Sequence, residues 1–158
     1  MIKAIIIDDE RLARSLVKEY LSDHTDIEII AECNDGFEGL KAIQEHQPDL
    51  IFLDIQMPKI NGFEMLELID QPPAVIFTTA FDEYAIKAFD NHAVDYLLKP
   101  FSKERFDKAI EKWKAMYKRN ENTTALHQVM DTVSNSPLQR ERIVVKSGSS
   151  IIVIPVYD

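Results

Sequence analysis

Two short apolar runs of this sequence end in carboxylates, and two later runs end in a hydroxyl and an amine. Asp8 and Asp9 follow the first run, Asp54 the third, Thr79 the fourth and Lys99 the fifth. Carboxylates that lie close together repel one another, so a cation should offset them, and oxygen ligands suit Mg²⁺. Mg²⁺, a lysine and a hydroxyl suit the charge of a transferring phosphoryl group, which an aspartate can accept.

Each of these residues alone has a plainer explanation. Acidic residues favour the first turn of a helix, an aspartate after a strand often marks a turn, and a lysine before a proline is often a surface charge. The combination carries the phosphoryl-transfer hypothesis, because each of four strand ends holds a residue type that this chemistry needs. The hypothesis therefore requires a fold that brings the four ends together.

Residues 1–118 alternate between short apolar runs and amphipathic segments of helical period. The predicted strands are Ile2–Ile7, Ile27–Cys33, Leu50–Leu53, Ala74–Thr78 and Asp95–Leu98. Helices are predicted over Glu10–His24, from the capping residue Asp35, after the loop Ile55–Asn61, over Glu83–Asn91 and from the capping residue Ser102. Alternating strands and helices indicate a parallel sheet, and strands that are apolar on both sides indicate helices on both faces.

Five such units match the flavodoxin-like (CheY-like) doubly wound α/β fold, a five-stranded parallel sheet in the order 2-1-3-4-5. In this fold ligands bind at the carboxyl ends of the strands, beside strands 1 and 3. Asp8, Asp9 and Asp54 would lie at that crevice, with Thr79 and Lys99 on the same edge of the sheet. The predicted fold therefore brings the four strand ends together.

The composition excludes several classes of protein. The chain has 158 residues, a formal charge of −9, one cysteine and four glycines. A single cysteine leaves no internal disulfide framework or Cys-rich metal centre, and the glycines form neither a Rossmann nor a P-loop pattern. The charge argues against general binding of nucleic acid or anionic membranes. Since no apolar run nears the ~18 residues of a membrane span and no signal peptide is evident, we expect a cytoplasmic protein without membrane contact.

Four motifs make the first 118 residues recognisable. In chain order they are IIIDDE, LIFLDIQMPKINGFEML, VIFTTAF and DYLLKPF. Together they resemble the receiver domain of two-component response regulators. Within that family, the receivers of LytTR (LytR/AlgR) transcription factors are similar to the segment TAFDEYAIKAFDNHAVDYLLKPF. The resemblance implies a partner sensor histidine kinase and a domain that catalyses only its own phosphorylation and dephosphorylation.

The resemblance also implies which residues hold the phosphoryl group and the metal. Asp54 matches the phosphoacceptor. Asp8 and Asp9 match the acidic pair that holds Mg²⁺ together with Asp54, and Asp9 is the expected direct ligand. Gln56 would add its backbone carbonyl to the metal site.

Further roles follow from the same resemblance. Thr79 matches the switch hydroxyl, Tyr96 the aromatic switch position, and Lys99 the lysine that contacts the phosphoryl group and precedes a cis proline. Gln56 and Phe81 lie where receivers tune the lifetime of the aspartyl-phosphate. Phosphorylation would bias the face formed by the fourth helix, the fifth strand and the fifth helix, which in this family commonly makes a homodimer.

The character of the sequence changes after residue 118. The whole net charge lies in the predicted receiver, residues 1–118, whereas residues 119–158 are neutral overall. Polar residues 119–141 predict a linker that is partly helical. Two apolar runs in 142–158 predict a β-hairpin that resembles the opening of a LytTR DNA-binding domain. We expect a chain cut early in that domain, so that only the longer protein binds DNA; a β-arm packed on the receiver or on a second subunit is the alternative.

Three other functions stay open at this point. A Mg²⁺-dependent phosphatase or phosphotransferase would also use an aspartate, but such enzymes often carry two aspartates at i and i+2 after the first strand, whereas Asp8 and Asp9 are adjacent. A flavodoxin would need a hydroxyl- and Gly-rich loop after the first strand. A receiver used only for docking, without phosphorylation, is disfavoured by the complete acidic set.

Overall fold

Strands and helices follow one another in the predicted order in the computed structural model, which describes residues 1–133 and the side chains of residues 1–118. The strands are β1 (Ile2–Ile7), β2 (Ile27–Cys33), β3 (Leu50–Leu53), β4 (Ala74–Thr79) and β5 (Asp95–Leu98). The helices are α1 (Arg11–Leu21), α2 (Gly36–His46), α3 (Gly62–Glu67), α4 (Ala85–Asp90) and α5 (Lys103–Val133), and a 3₁₀ turn, Asp82–Tyr84, precedes α4.

The five strands form one parallel sheet in the order β2-β1-β3-β4-β5, which confirms the predicted doubly wound fold. The last residue of β1, Ile7, pairs with both Cys33 of β2 and Leu53 of β3. The last residues of β4 and β5, Thr79 and Leu98, pair in the same way. Because the last residues of neighbouring strands pair with one another, the residues that follow these strands lie at the same edge of the sheet.

Helices cover both faces of the sheet. On one face Phe52 of β3 stacks on Phe106 of α5, with the ring centroids 5.5 Å apart. On the other face Phe77 of β4 packs against Phe63 of α3, with the centroids 5.1 Å apart. All four rings are buried. Successive side chains of a strand point to opposite faces, so a strand covered on both faces is apolar throughout, as the sequence indicated.

Polar side chains begin the helices that support the site. The Asp35 carboxylate accepts a hydrogen bond of 2.8 Å from a backbone N–H in the first turn of α2. Asn61 forms a reciprocal capping box with Glu64 at the start of α3. The Ser102 hydroxyl accepts a backbone hydrogen bond of 3.1 Å in the first turn of α5. Each cap satisfies an N–H group that the helix itself leaves unpaired. The predicted caps Asp35 and Ser102 are confirmed.

Three element bounds differ from the prediction. Helix α1 is shorter than Glu10–His24, because Glu10 has an extended backbone and acts as the N-cap. The predicted helix Glu83–Asn91 is divided into the 3₁₀ turn and α4. Helix α4 ends early because the Asn91 amide donates to the Lys87 carbonyl at 2.8 Å and the residue after Asn91 has a positive φ. Strand β4 is one residue longer than predicted and includes Thr79.

Helix α5 passes residue 118, the predicted end of the receiver, and continues to Val133. It therefore includes the first part of the predicted linker 119–141. The last residues of that linker and the predicted hairpin in 142–158 lie outside the described residues. The predicted domain boundaries stay predictions.

An ion pair between a buried aspartate and a partly exposed arginine joins β5 to α5. Asp95 is 7% exposed, and its two carboxylate oxygens accept hydrogen bonds of 3.0 and 2.7 Å from the two terminal nitrogens of Arg105. Burial alone would raise the pKa of Asp95, but Arg105 and the backbone N–H of Tyr96 hold it below its usual value. The charged form of Asp95 therefore stabilises the fold.

We expect Asp95→Asn to lower the free energy of unfolding at pH 7 by about 1–2 kcal/mol, because Arg105 loses a charged partner. A lowered carboxyl pKa contributes stability above the unfolded value, and this contribution is lost as the pH falls. The difference in unfolding free energy between wild type and variant should thus stay nearly constant from pH 7 to about pH 4 and narrow below that, as measured by urea unfolding from pH 7 down to about pH 3. Asp90→Asn, at an exposed position of α4, is the matched control. An equal loss of unfolding free energy in Asp95→Asn and Asp90→Asn would contradict a special role for the ion pair between Asp95 and Arg105.

Candidate functional site

Three carboxylates meet where β1 and β3 end. The Asp8 N–H donates to the Cys33 carbonyl and the Asp54 N–H to the Ile7 carbonyl, both at 3.0 Å, so backbone pairing continues up to these aspartates. Asp8 is 2% exposed and Asp54 is 5% exposed. Together with the exposed Glu10, each offers an oxygen within 4.8 Å of the others. The sheet edge thus gathers three carboxylates at one point, with Glu10 in the place where the sequence predicted Asp9.

Lys99 lies among these carboxylates. Its Nζ is 2.8 Å from Asp8 Oδ2, 3.0 Å from Glu10 Oε1 and 3.4 Å from Asp54 Oδ2. Its backbone N–H donates to the Thr79 carbonyl at 2.7 Å, which fixes the end of β5 beside β4. The peptide bond between Lys99 and the proline that follows is cis, as the resemblance implied.

The charges at the site do not balance, since one ammonium faces three carboxylates. Burial and then the negative charge of Asp8 raise the pKa of Asp54 to about 7, although Lys99 opposes this shift. Burial also raises the pKa of Asp8. Burial would lower the pKa of Lys99, but its hydrogen bond with Asp8 and the charges of Asp8 and Asp54 raise it. An oxygen-only donor set with excess negative charge fits a hard divalent cation such as Mg²⁺.

Asp9 and Gln56 line a neighbouring groove of about 440 Å³, together with Asn61 and Tyr84. Asp9 is exposed, and its carboxylate does not belong to the cluster of three. Gln56 is also exposed, and its Nε2 donates to the Tyr84 hydroxyl at 2.8 Å. The structure therefore places Glu10 with the two buried aspartates and Asp9 beside Gln56. The roles of Asp9 and Gln56 as metal ligands stay predictions.

The remaining predicted site residues are linked by hydrogen bonds to the segment after β4. Thr79 is fully buried, and its Oγ1 accepts a long hydrogen bond of 3.4 Å from the Phe81 N–H. The Tyr96 hydroxyl donates to the Phe81 carbonyl. Phe81 itself is 40% exposed. Thr79 and Tyr96 thus bond to the N–H and to the carbonyl of the same residue, Phe81, whereas their switch roles stay predictions.

Two residues that sequence reasoning did not assign to the site contact it directly. On α1, Arg14 Nη1 donates to the Asp8 carbonyl at 2.6 Å, and Arg14 Nε lies 3.5 Å from Glu32 on β2. The Tyr84 hydroxyl accepts the hydrogen bond from Gln56 Nε2. No signal in the sequence marks either residue, because an arginine or a tyrosine within a helical pattern usually faces solvent or the core.

An apolar cavity of about 430 Å³ adjoins Lys99 on the other side of the site. Side chains of α1, among them Leu12 and Leu16, line it together with Phe101. Leu12 is 84% exposed. A large exposed apolar side chain at the rim of an apolar cavity is typical of a protein contact surface.

A doubly wound sheet with a carboxylate–lysine cluster at the ends of β1, β3 and β5 defines a receiver-type domain. The chain belongs to the family described as "Response regulator receiver domain", whose model matches residues 4–111. Membership of this family implies phosphorylation-dependent two-component regulation.

Curated relatives are similar to the chain over part of their own length. An uncharacterised response regulatory protein of Shewanella oneidensis is 41% identical in an alignment of 160 residues, which covers 100% of this chain and 64% of the relative. The transcriptional regulatory protein BtsR of Escherichia coli is 51% identical over 112 residues, which cover 70% of this chain and 47% of BtsR. The chain thus spans about half to two thirds of these relatives.

Solved receiver structures resemble the chain as well. The response regulatory domain of mrkE from Klebsiella pneumoniae is 32% identical, with a TM-score of 0.69, and the match covers 75% of this chain and 99% of that domain. The REC domain of the response regulator AraT from Geobacillus stearothermophilus is 30% identical, with a TM-score of 0.69, over 75% of this chain and 97% of that domain. Among residues 1–133, no helix is both long and apolar enough to cross a membrane.

We expect Asp54→Asn to stabilise the metal-free protein at pH 8. The folded pKa of about 7 exceeds the unfolded value of about 3.9, so the folded wild type binds more protons between these values and loses stability as the pH rises through them. The variant has no carboxylate to desolvate, so its Tm should exceed that of wild type by roughly 3–6 °C at pH 8 and by less at pH 5.

Thermal melts by circular dichroism in EDTA would measure this effect. The exposed Asp70→Asn on the loop after α3 is the control, and its Tm should follow that of wild type at both pH values. If the Tm of Asp54→Asn does not exceed that of wild type at pH 8, the negative charges of the cluster are already neutralised in the folded wild type.

Proposed function

We propose that Asp54 is the phosphoacceptor of a response regulator and that a sensor histidine kinase is the phosphoryl donor. The observation that carries this proposal is a buried carboxylate with its Oδ2 3.4 Å from the Lys99 ammonium, inside a cluster of oxygen ligands. Asp8, Asp9, Asp54 and the backbone carbonyl of Gln56 would hold Mg²⁺. When bound, the metal supplies positive charge for the oxygens of the transferring group.

The chain's own residues do the remaining chemistry. A carboxylate oxygen of Asp54 attacks the phosphorus of a phosphohistidine in line, the P–N bond breaks, and its electron pair stays on the imidazole nitrogen. Lys99 stabilises the charge on the phosphoryl oxygens. Water later attacks the same phosphorus and returns Asp54 to its free form. The domain therefore turns over only its own acyl phosphate.

Phosphorylation would switch the face formed by α4, β5 and α5. The Thr79 hydroxyl is free to move toward a phosphoryl oxygen at little cost, because its present hydrogen bond is long, at 3.4 Å. Tyr96 would then turn inward. Ile86 and Phe89 on α4 and Leu98 on β5 are 79%, 55% and 44% exposed, and this apolar patch supports homodimerisation on phosphorylation.

We further propose that this receiver controls transcription. Two observations support the proposal: the relative BtsR is named a transcriptional regulatory protein, and the chain spans 47% of it. The resemblance of the motifs to LytTR receivers favours a LytTR-type DNA-binding domain that begins within 142–158. Contact with DNA would then be made by that domain alone, in the cytoplasm.

We expect acetyl phosphate with Mg²⁺ to add one phosphoryl group to wild type and none to Asp54→Asn, because the amide cannot attack phosphorus. Lys99→Ala should react about 10–100-fold more slowly, since the charge on the phosphoryl oxygens loses its ammonium partner. Intact mass spectrometry measures both effects, with Asp70→Asn as the control that keeps the wild-type rate. Stoichiometric labelling of Asp54→Asn would disprove the assignment.

Beryllofluoride, which mimics an aspartyl-phosphate, should convert the protein from monomer to dimer in the presence of Mg²⁺. Ile86→Glu should remain monomeric, because it places a charge in the apolar patch on α4. Leu68→Glu, at a 63% exposed position outside that patch, should dimerise like wild type. Sedimentation velocity distinguishes these cases. Dimerisation of Ile86→Glu would place the interface elsewhere.

A further inference from the structure

One hydrogen bond joins the phosphoacceptor loop to the segment before α4. Gln56 lies two residues after Asp54, and its Nε2 donates to the Tyr84 hydroxyl at 2.8 Å. Tyr84 is the last residue of the 3₁₀ turn and directly precedes α4. Both side chains line the groove that also contains Asp9 and Ile55, the residue directly after Asp54. The bond therefore joins the loop that follows Asp54 to the segment that precedes α4.

Aromatic packing fixes the place of the Tyr84 hydroxyl. The Tyr84 ring packs edge-on against Phe63, with centroids 6.0 Å apart, and against Phe81, with centroids 6.3 Å apart. Lys87 Nζ lies 4.7 Å from the centroid of Phe63 on the same side of the sheet. A ring held between two others presents its hydroxyl in one position, so Tyr84 can orient a flexible partner.

Tyr84 thus contacts both Gln56 and Phe81, for which the resemblance to receivers implies a role in the lifetime of the aspartyl-phosphate. It accepts a hydrogen bond from Gln56 and packs on Phe81. Gln56 is exposed and would sample many rotamers without this partner.

We propose that Tyr84 is a positioning residue that acts through Gln56: its hydroxyl holds the Gln56 side chain in the groove that also contains Asp9 and slows hydrolysis of the aspartyl-phosphate. The inference rests on the proposed function of Asp54. It extends that function to a residue that touches neither the phosphoryl group nor the carboxylate cluster.

The reaction that this bond would slow is attack by water. A water oxygen attacks phosphorus opposite the Asp54 oxygen, the P–O bond to Asp54 breaks, and its electron pair returns to the carboxylate. The water loses a proton to solvent, and inorganic phosphate leaves. A glutamine side chain held in the groove occupies space through which water must approach, whereas a released side chain leaves it open.

The test compares the half-lives of the aspartyl-phosphate in four proteins: wild type, Tyr84→Phe, Gln56→Ala and the double variant. Each is phosphorylated with acetyl phosphate and Mg²⁺, the donor is removed, and the decay is followed by intact mass. Tyr84→Phe keeps the ring and loses only the hydroxyl. We expect its half-life to fall about fivefold, the effect of losing one net hydrogen bond. Gln56→Ala should show a similar fall, and the double variant should decay no faster than Gln56→Ala.

Tyr20→Phe is a matched control, because it removes a hydroxyl whose hydrogen bond of 3.3 Å goes to the Phe101 carbonyl on the other face of the sheet. Its half-life should equal that of wild type. Gln44→Ala on the exposed side of α2 is the corresponding control for the glutamine.

An unchanged half-life in Tyr84→Phe would overturn the inference, and so would single effects that multiply in the double variant, since Tyr84 would then act independently of Gln56. If thermal melting shows that Tyr84→Phe does not fold, the half-life of the aspartyl-phosphate in Gln56→Ala is decisive. An unchanged half-life in Gln56→Ala then overturns the inference. If wild type takes up no phosphoryl group, the proposed function fails as well. If wild type is phosphorylated and Tyr84→Phe decays at the same rate, this inference alone fails.

Discussion

The chemistry of this receiver depends on the contact between one partly buried ammonium and two buried carboxylates. Lys99 lies 2.8 Å from Asp8 and 3.4 Å from Asp54, in surroundings that disfavour charge. Removing carboxylates from water costs free energy that a single lysine does not fully offset, so burial and mutual repulsion raise the pKa of Asp54 to about 7. The same excess of negative charge makes the site receptive to a divalent cation and, through that cation and Lys99, to a phosphoryl group.

The sheet maintains this arrangement against repulsion. The N–H groups of Asp8 and Asp54 still belong to the parallel ladder, so neither backbone can move away without losing a hydrogen bond. Arg14 adds a side-chain hydrogen bond to the Asp8 carbonyl. At the start of α3, the N–H of Gly62 donates to the Ile55 carbonyl at 2.8 Å, and an added Cβ would lie 2.6 Å from the Asp54 carbonyl oxygen. The loop that follows Asp54 therefore closes this tightly only because residue 62 is glycine.

Much of the fold could be predicted, because a buried parallel strand leaves a clear apolar run. The bounds of β1, β2, β3 and β5 agree with those runs. The alternation with helices indicated a parallel sheet, and its order was predicted from the doubly wound fold that five such units match. The end of α4 was not predictable, because a side-chain hydrogen bond of Asn91 to the Lys87 carbonyl and the positive φ of the next residue set it. Helix α5 continues to Val133, through residues that the sequence predicted as a partly helical linker, so the polar composition did not show that this helix is continuous with the last receiver helix.

The site was predictable at the level of residue type and less so at the level of geometry. Strand ends located Asp8, Asp54 and Lys99, but adjacent acidic residues point in different directions. Sequence therefore could not show that Glu10 joins the cluster while Asp9 lies in the groove with Gln56. Contacts made across the fold, such as the hydrogen bond between Gln56 and Tyr84, leave no local pattern in a single sequence.

The central claim is that the phosphoryl group is carried by the buried carboxylate after β3. Borohydride reduction tests this most directly, because it converts an aspartyl-phosphate to homoserine and so marks the residue that carried the group. After treatment of the full chain with acetyl phosphate and Mg²⁺, peptide mass spectrometry should find homoserine at position 54 and nowhere else. Homoserine at another aspartate, or none in a protein whose mass shows a bound phosphoryl group, would contradict the account.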